Sequence, residues 1–186
     1  KDRYTGFAGD SPRNAPADLK QFPSFLKRLA ESGGTPQYAR PMCVGEVRSK
    51  GQDDLEKDIA NLKTAMARHG VEQGFMNAAS PGVISRFLQN DYYASREAYL
   101  AALAEAMAEE YRTIVASGLR LQLDCPDLAR SRHMLYADRS DEEFIKVAAM
   151  HVEALNHALS GIDPGKVRVH ICCGNYEGPH VCDIGM

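Results

Sequence analysis

The stretch Lys166-Val-Arg-Val-His-Ile-Cys-Cys-Gly-Asn-Tyr-Glu-Gly-Pro-His180 is a short β-branched run followed by a loop that contains glycine and proline. It predicts a β-strand, because β-branched residues favour strands and Gly and Pro end them. Side chains alternate between the faces of a strand, so His170 and Cys172 are expected to share one face. Imidazole and thiolate are usual zinc ligands, and the pair therefore indicates a metal site at the strand tip. Such a pair also occurs without a metal, and two ligands do not define a site.

The remaining cysteine and histidine residues near this strand are weaker candidates. Cys173 is expected on the opposite face, as a buried structural thiol. His180 and Cys182 fall in the following loop, where such residues usually have no metal role. The five cysteines form an odd set in a chain of this size, which favours reduced thiols over a disulfide framework.

The composition is that of a globular domain of ordinary size. The chain has 186 residues, of which 44% are hydrophobic and 25% charged, with a net charge of -3. This charge gives no basic field for nucleic acid. No apolar run approaches the roughly 20 residues of a membrane-spanning helix, and the N-terminus does not resemble a signal peptide. A cytoplasmic location is therefore expected.

Alternating strand and helix patterns place the chain in the α/β class. Residues 1–40 are expected to form an irregular arm with a short helix, and residues 41–186 a partial (β/α) barrel that stops before the later strands. Four strands are predicted, over residues 42–47, 74–79, 119–124 and 166–172. Predicted helices of ten residues or more separate the later strands, and they imply parallel pairing.

The strand at residues 119–124 alternates strictly between leucines and the polar residues Arg120, Gln122 and Asp124. In a (β/α)8 TIM barrel the aliphatic face meets the outer helices and the polar face lines the mouth, whereas central strands of a doubly wound sheet are usually apolar on both faces. The pattern favours the barrel. Closure takes eight strands, so the sequence predicts about half of one.

Polar groups near Asp124 have two interpretations. The sequence Asp124-Cys-Pro-Asp127 stands where a barrel presents catalytic groups, but an Asp followed by Pro is also an ordinary strand-ending turn. On the last predicted helix, His151 and His157 are expected to be solvated or partly buried residues rather than ligands.

Three motifs in this order resemble the cobalamin-independent methionine synthase family. They are Leu121-Gln-Leu-Asp-Cys-Pro-Asp-Leu128, Val152-Glu-Ala-Leu-Asn-His-Ala-Leu159 and Val167-Arg-Val-His-Ile-Cys-Cys-Gly-Asn-Tyr-Glu-Gly-Pro-His180. The nearest likeness is to the short, single-barrel members, which include proteins similar to epoxyalkane:coenzyme M transferases. The resemblance implies a (β/α)8 barrel in which His170 and Cys172 hold Zn2+, with further ligands expected beyond Met186.

The resemblance also implies a function in methionine biosynthesis, as a zinc-dependent methyltransferase that activates a substrate thiolate. Asp124 matches an aspartate that contacts the substrate amino group, while Cys125 replaces an acidic residue of the family pattern. The thiol is expected to be a small molecule such as homocysteine and the donor a compound such as methyl-tetrahydrofolate. A coenzyme M type alkyltransferase and a non-catalytic or incomplete fragment of such a barrel are the alternatives. The general acid and the oligomeric state are left open.

Overall fold

A computed structural model describes residues 3–10, 21–31, 40–172 and 181. Three-residue 3-10 turns lie at Pro126–Leu128 and Pro164–Lys166. The other elements are, in chain order, β1 (Phe7–Ala8), α1 (Pro23–Glu31), β2 (Met42–Cys43), α2 (Gln52–Arg68), β3 (Phe75–Ala79), α3 (Pro81–Phe87), α4 (Arg96–Ala116), β4 (Arg120–Asp124), α5 (Ser131–Leu135), α6 (Asp141–Ala158) and β5 (Val167–His170).

Strands β3, β4 and β5 form a parallel sheet in chain order. The register places Ala79 opposite Asp124, and Asp124 opposite His170. The three strands therefore end at one level. The parallel pairing predicted for these three segments is confirmed.

The predicted strand at residues 42–47 is different in the structure. Only β2 is a strand there, and it pairs antiparallel with β1, which lies in the segment predicted to be irregular. The backbone of this region bonds with the N-terminal segment, since the Val44 N–H donates to the Gly6 carbonyl at 2.8 Å and the Thr5 N–H to the Arg48 carbonyl at 3.0 Å. This segment is therefore not a fourth strand of the parallel sheet, as had been predicted, and its parallel pairing within the described residues is limited to an isolated bridge between Cys43 and Asn90.

The hydrophobic core lies on one face of the parallel sheet. Leu121 and Leu123 of β4 are fully buried in a cluster with Met107 and Tyr111 of α4 and Leu155 of α6. On the other face of β4, Arg120 is exposed and the remaining polar residues are partly exposed. The leucine alternation therefore does what the sequence predicted: it packs the helices on one side and presents polar groups on the other.

The helices begin and end at the residues that favour these positions. Ser95 caps α4 by accepting a hydrogen bond from the Ala98 N–H, and Ser140 with Glu143 forms a complete capping box at the start of α6. Gly118 follows α4 with φ of +88°, a conformation in which glycine carries no Cβ penalty. These local signals fix where the chain returns to the sheet.

The described ranges contain a mixed α/β fold with one sheet of two strands and one of three, and no barrel closes within them. In the same ranges β5 pairs only with β4. Helices α4 and α6 cover the leucine face of β4, but on the same face of the sheet Val169 in β5 and Ile171 just after it are 52% and 44% exposed. None of the helices in the described part of the chain has the length and apolar composition to cross a membrane.

Candidate functional site

Asp124 and His170 lie side by side at the carboxyl end of the parallel sheet. Backbone register pairs them directly, and the Cys125 N–H donates to the His170 carbonyl at 2.9 Å. His170 Nε2 is 3.8 Å from Asp124 Oδ1, which is too long for a hydrogen bond. The side chains are 52% and 48% exposed. Asp124 and His170 are therefore adjacent, as predicted, and both are accessible to solvent without a hydrogen bond between their side chains.

Cys172 lies two residues beyond His170 and is partly buried. Among the described residues, no group of three or more His, Cys, Asp or Glu side chains is arranged to hold a metal ion. The other cysteine and histidine residues of the stretch, Cys173, His180 and Cys182, lie outside the described residues. The structure thus provides two donor types that suit zinc, but not a complete site.

A second polar cluster lies directly behind this edge and is fully buried. Asp127, 1% exposed, accepts a hydrogen bond from Ser80 Oγ at 2.9 Å, and its other oxygen is 2.9 Å from His151 Nδ1. A carboxylate oxygen accepts, so Nδ1–H of His151 is the donor. His151 is 4% exposed, and its Nε2 has no hydrogen-bond partner within the described part of the chain. We refer to Ser80, Asp127 and His151 as the buried triad.

The burial of His151 differs from the sequence-based expectation of a solvated or partly buried residue. The signal that could have found it is its spacing: Phe144, His151, Leu155 and Ala158 are the buried residues of α6 and share one helical face. A histidine on that face needs a polar partner, and Asp127 supplies it from the turn after β4. Sequence reasoning treated both residues separately and missed the pair.

Glycine is required where α3 meets the buried triad. A Cβ added at Gly82 would be 2.1 Å from Asp127 Oδ2 and 2.7 Å from His151 Nδ1. Ser80 caps the same helix by accepting a hydrogen bond from the Val83 N–H at 3.0 Å. The start of α3 is therefore seated directly against the carboxylate.

In the sequence, Cys125 lies between Asp124 of the open edge and Asp127 of the buried triad. Burial, and then the carboxylate of Asp127, raises the pKa of Cys125 to about 12. Its thiol is therefore protonated at neutral pH and does not replace the negative charge that an acidic residue would have at this position.

Arginine side chains add positive charge near the same edge. The guanidinium groups of Arg40 and Arg86 each lie 4.7 Å from the ring centre of Phe87, at the end of α3. Burial, followed by the positive charges of Arg130 and Arg40, lowers the pKa of Arg86 to about 10, while the carboxylate of Asp127, and Cys172 when it carries a negative charge, oppose this change. The arginines are thus within electrostatic reach of the open edge.

A cavity of about 370 Å³ lies elsewhere, between the N-terminal segment and helices α3 and α4. Its walls include Tyr4, Ile84, Leu103 and Glu110, and they contain none of Asp124, His170 and Cys172. It is mostly apolar, and its phenol and carboxylate are already paired, because Tyr4 Oη donates to Glu110 Oε2 at 2.5 Å. We assign the candidate site to the strand ends and not to this cavity.

The fold and the strand ends define an α/β protein in which Asp124 and His170 are open to solvent at the carboxyl edge of a parallel sheet, where such sheets bind ligands. Comparison with known proteins gives a distant likeness to enzymes named methionine synthase. The chain is 24% identical over 145 residues to the one from Saccharolobus solfataricus, and 26% identical over 145 residues to those from Saccharolobus islandicus strains L.S.2.15 and M.16.27. Each alignment covers 77% of this chain, and the chain spans 38% of the length of these relatives. No family model matches. These findings support a methionine synthase-like family at most.

Proposed function

We propose that this chain is part of an enzyme that transfers a methyl or related alkyl group to a thiol, in the manner of methionine synthase. The observation that carries the proposal is the pairing of Asp124 with His170 at one open edge, in a chain whose relatives are named methionine synthase. Asp124 would bind the thiol substrate, and His170 and Cys172 would hold Zn2+.

The donor chemistry of the edge fits zinc in type. His170 offers an imidazole nitrogen that Asp124 does not hydrogen-bond, and Cys172 offers a partly exposed thiol. A catalytic zinc takes three protein ligands and an open position, so at least one further ligand is needed in addition to this pair. A zinc ion bound there supplies the positive charge that favours the thiolate form of a substrate thiol at neutral pH.

The residues of the chain would then bind and orient the substrate. The Asp124 carboxylate accepts hydrogen bonds from an ammonium group, as expected for an amino-acid thiol such as homocysteine. Ser80 and Cys125 hold this part of the chain in place, because the Ser80 N–H donates to the Asp124 carbonyl at 3.1 Å and the Cys125 N–H to the His170 carbonyl at 2.9 Å. The proposed methyl donor is a compound such as methyl-tetrahydrofolate.

Cys125 favours a second candidate, an alkyltransferase of the coenzyme M type. A buried, protonated thiol stands where an acidic residue would help to bind an amino-acid head group. Arg86 lies near enough to Cys172 for a charge on Cys172 to affect the Arg86 pKa, and Arg40 lies beside Arg86 over the Phe87 ring. The positive charge of these two arginines suits a thiol with an anionic tail. Turnover of a thiol panel separates the two candidates: methylation of homocysteine but not of simpler thiols excludes the second.

The metal assignment is tested by elemental analysis of the full protein that contains this sequence, with the variants His170→Ala and Cys172→Ser. We expect each substitution to remove most of the bound zinc. His157→Ala is the matched control, since His157 is an exposed histidine on α6, away from the strand ends. Zinc content that is unchanged by both site substitutions contradicts the assignment.

A further inference from the structure

We propose that His151 is a positioning residue: through Asp127 and Ser80 it fixes the ends of β3, β4 and β5, where Asp124 and His170 lie. The inference rests on the proposed function only in treating those two residues as the site. The network itself is independent of zinc and of the substrate.

The connection runs through hydrogen bonds of ordinary length. His151 Nδ1 donates to Asp127 Oδ2 at 2.9 Å, and Ser80 Oγ donates to Asp127 Oδ1 at 2.9 Å. The Ser80 N–H in turn donates to the Asp124 carbonyl at 3.1 Å. His151 is thus linked to the backbone of the proposed substrate-binding residue by two side chains.

The same network reaches the third strand through the chain itself. Asp127 follows Asp124 in the turn at residues 125–128, and the Cys125 N–H of that turn donates to the His170 carbonyl at 2.9 Å. Asp127 is therefore held between a strand-end serine on one side and α6 on the other. If the carboxylate moves, the backbone that carries Asp124 and contacts His170 moves with it.

Burial indicates which atom of His151 is important. The ring is almost fully buried, and its Nε2 has no hydrogen-bond partner among the described residues. An unpaired buried nitrogen lowers the stability of the fold. A hydrophobic side chain would avoid that penalty, so what the imidazole contributes is the Nδ1–H bond to Asp127. The contact with Gly82, where no Cβ fits, shows that the carboxylate has no room to relax toward α3.

This assignment predicts a specific pattern of rescue. Asparagine has an amide N–H near the position of Nδ1, whereas glutamine places its amide nearer the position of Nε2. His151→Asn is therefore expected to keep the link to Asp127, and His151→Gln and His151→Leu are expected to break it.

The test is amide hydrogen exchange, followed by NMR, of the same full protein that is used for the zinc analysis. Ser80 and Cys125 report on the strand ends, and Tyr111, which is fully buried on the sheet-facing side of α4, reports on global unfolding. In His151→Gln and His151→Leu we expect the amides of Ser80 and Cys125 to exchange at least about tenfold faster relative to Tyr111. In His151→Asn we expect that ratio to stay within about threefold of the wild-type ratio. His157→Asn, an exposed position on the same helix, serves as the control.

Two results would overturn the proposal. In one, the exchange of Ser80, Cys125 and Tyr111 accelerates by the same factor, which means that His151 contributes only to global stability. In the other, His151→Asn behaves like His151→Leu, so that Nδ1 is not the important atom. The exchange rates of these amides depend neither on zinc nor on turnover. The test therefore remains valid if the proposed enzymatic function is wrong, and loss of zinc binding alone leaves the exchange pattern unchanged.

Discussion

Asp127 and Asp124 are three residues apart in the sequence, and each faces a histidine, but the two pairs have opposite environments. Asp127 and His151 are 1% and 4% exposed and 2.9 Å apart. Asp124 and His170 are 48% and 52% exposed and 3.8 Å apart. The first pair lies behind the sheet ends and is shielded by α3 and α6, while the second lies on the open edge.

The difference separates a supporting role from a binding role. In the buried pair both carboxylate oxygens have a protein partner, so that pair has little capacity left for a ligand. In the open pair the Nε2 atom and the carboxylate do not hydrogen-bond each other and can both reach a ligand. Chemistry is therefore expected at the open pair, and stability at the buried one.

The largest expected effect is that of Asp127→Ala. Removing the carboxylate leaves the Ser80 hydroxyl and the His151 Nδ1–H buried without their acceptor, which we expect to lower the free energy of unfolding by about 4 kcal/mol. Asp124→Ala is the matched control and should change it by less than about 0.5 kcal/mol. Urea unfolding followed by circular dichroism measures both. Equal effects of the two substitutions would contradict the contrast between the pairs.

The open pair could be predicted from sequence, and the buried pair could not. Strand alternation and parallel pairing depend on local patterns, so the polar face of β4 and the neighbouring positions of Asp124 and His170 follow from residues 119–124 and 166–172. The buried pair joins residues that are 24 positions apart in a turn and a helix, and no local pattern specifies that contact. The pairing predicted for residues 42–47 failed for a similar reason. The β-propensity of a segment does not specify its partner strand, and in the structure β2 pairs with β1 of the N-terminal segment.

Gly82→Ala tests how tightly the buried pair is enclosed. The added Cβ would overlap Asp127 Oδ2 and His151 Nδ1, so we expect a loss of about 2 kcal/mol in the free energy of unfolding. Gly45→Ala is the control, because a Cβ there is in ordinary contact, 3.5 Å from the Gly6 Cα. Urea unfolding of both variants provides the comparison. A Gly82→Ala protein as stable as the control would show that the carboxylate has room to move.

Cys125 gives the buried region a pH dependence. Its pKa is raised to about 12 from the ordinary value of 9.0, so in alkaline solution the unfolded chain loses this proton before the folded protein does. The stability that this group contributes is complete below pH 9 and falls as the pH rises toward 12, by about 1.4 kcal/mol between pH 8 and pH 10. We expect the decrease in unfolding free energy over this range to be smaller by that amount in Cys125→Ala. If the unfolding free energies of the two proteins fall in parallel with pH, Cys125 is not shielded from solvent in the way that Asp127 and His151 are.

The smallest expected effect is the coupling between Asp124 and His170. At 3.8 Å, with both side chains about half exposed, solvent screens their interaction, and a double-mutant cycle with Asp124→Asn and His170→Gln should give a coupling below about 0.5 kcal/mol in unfolding free energy. The buried pair, measured in the same way with Asp127→Asn and His151→Gln, should give a larger value, because no water competes for its hydrogen bond. A strong coupling at the open edge would mean that Asp124 and His170 satisfy each other in solution. They would then be poorly available to a metal or a substrate, and the proposed site would lose its main physical argument.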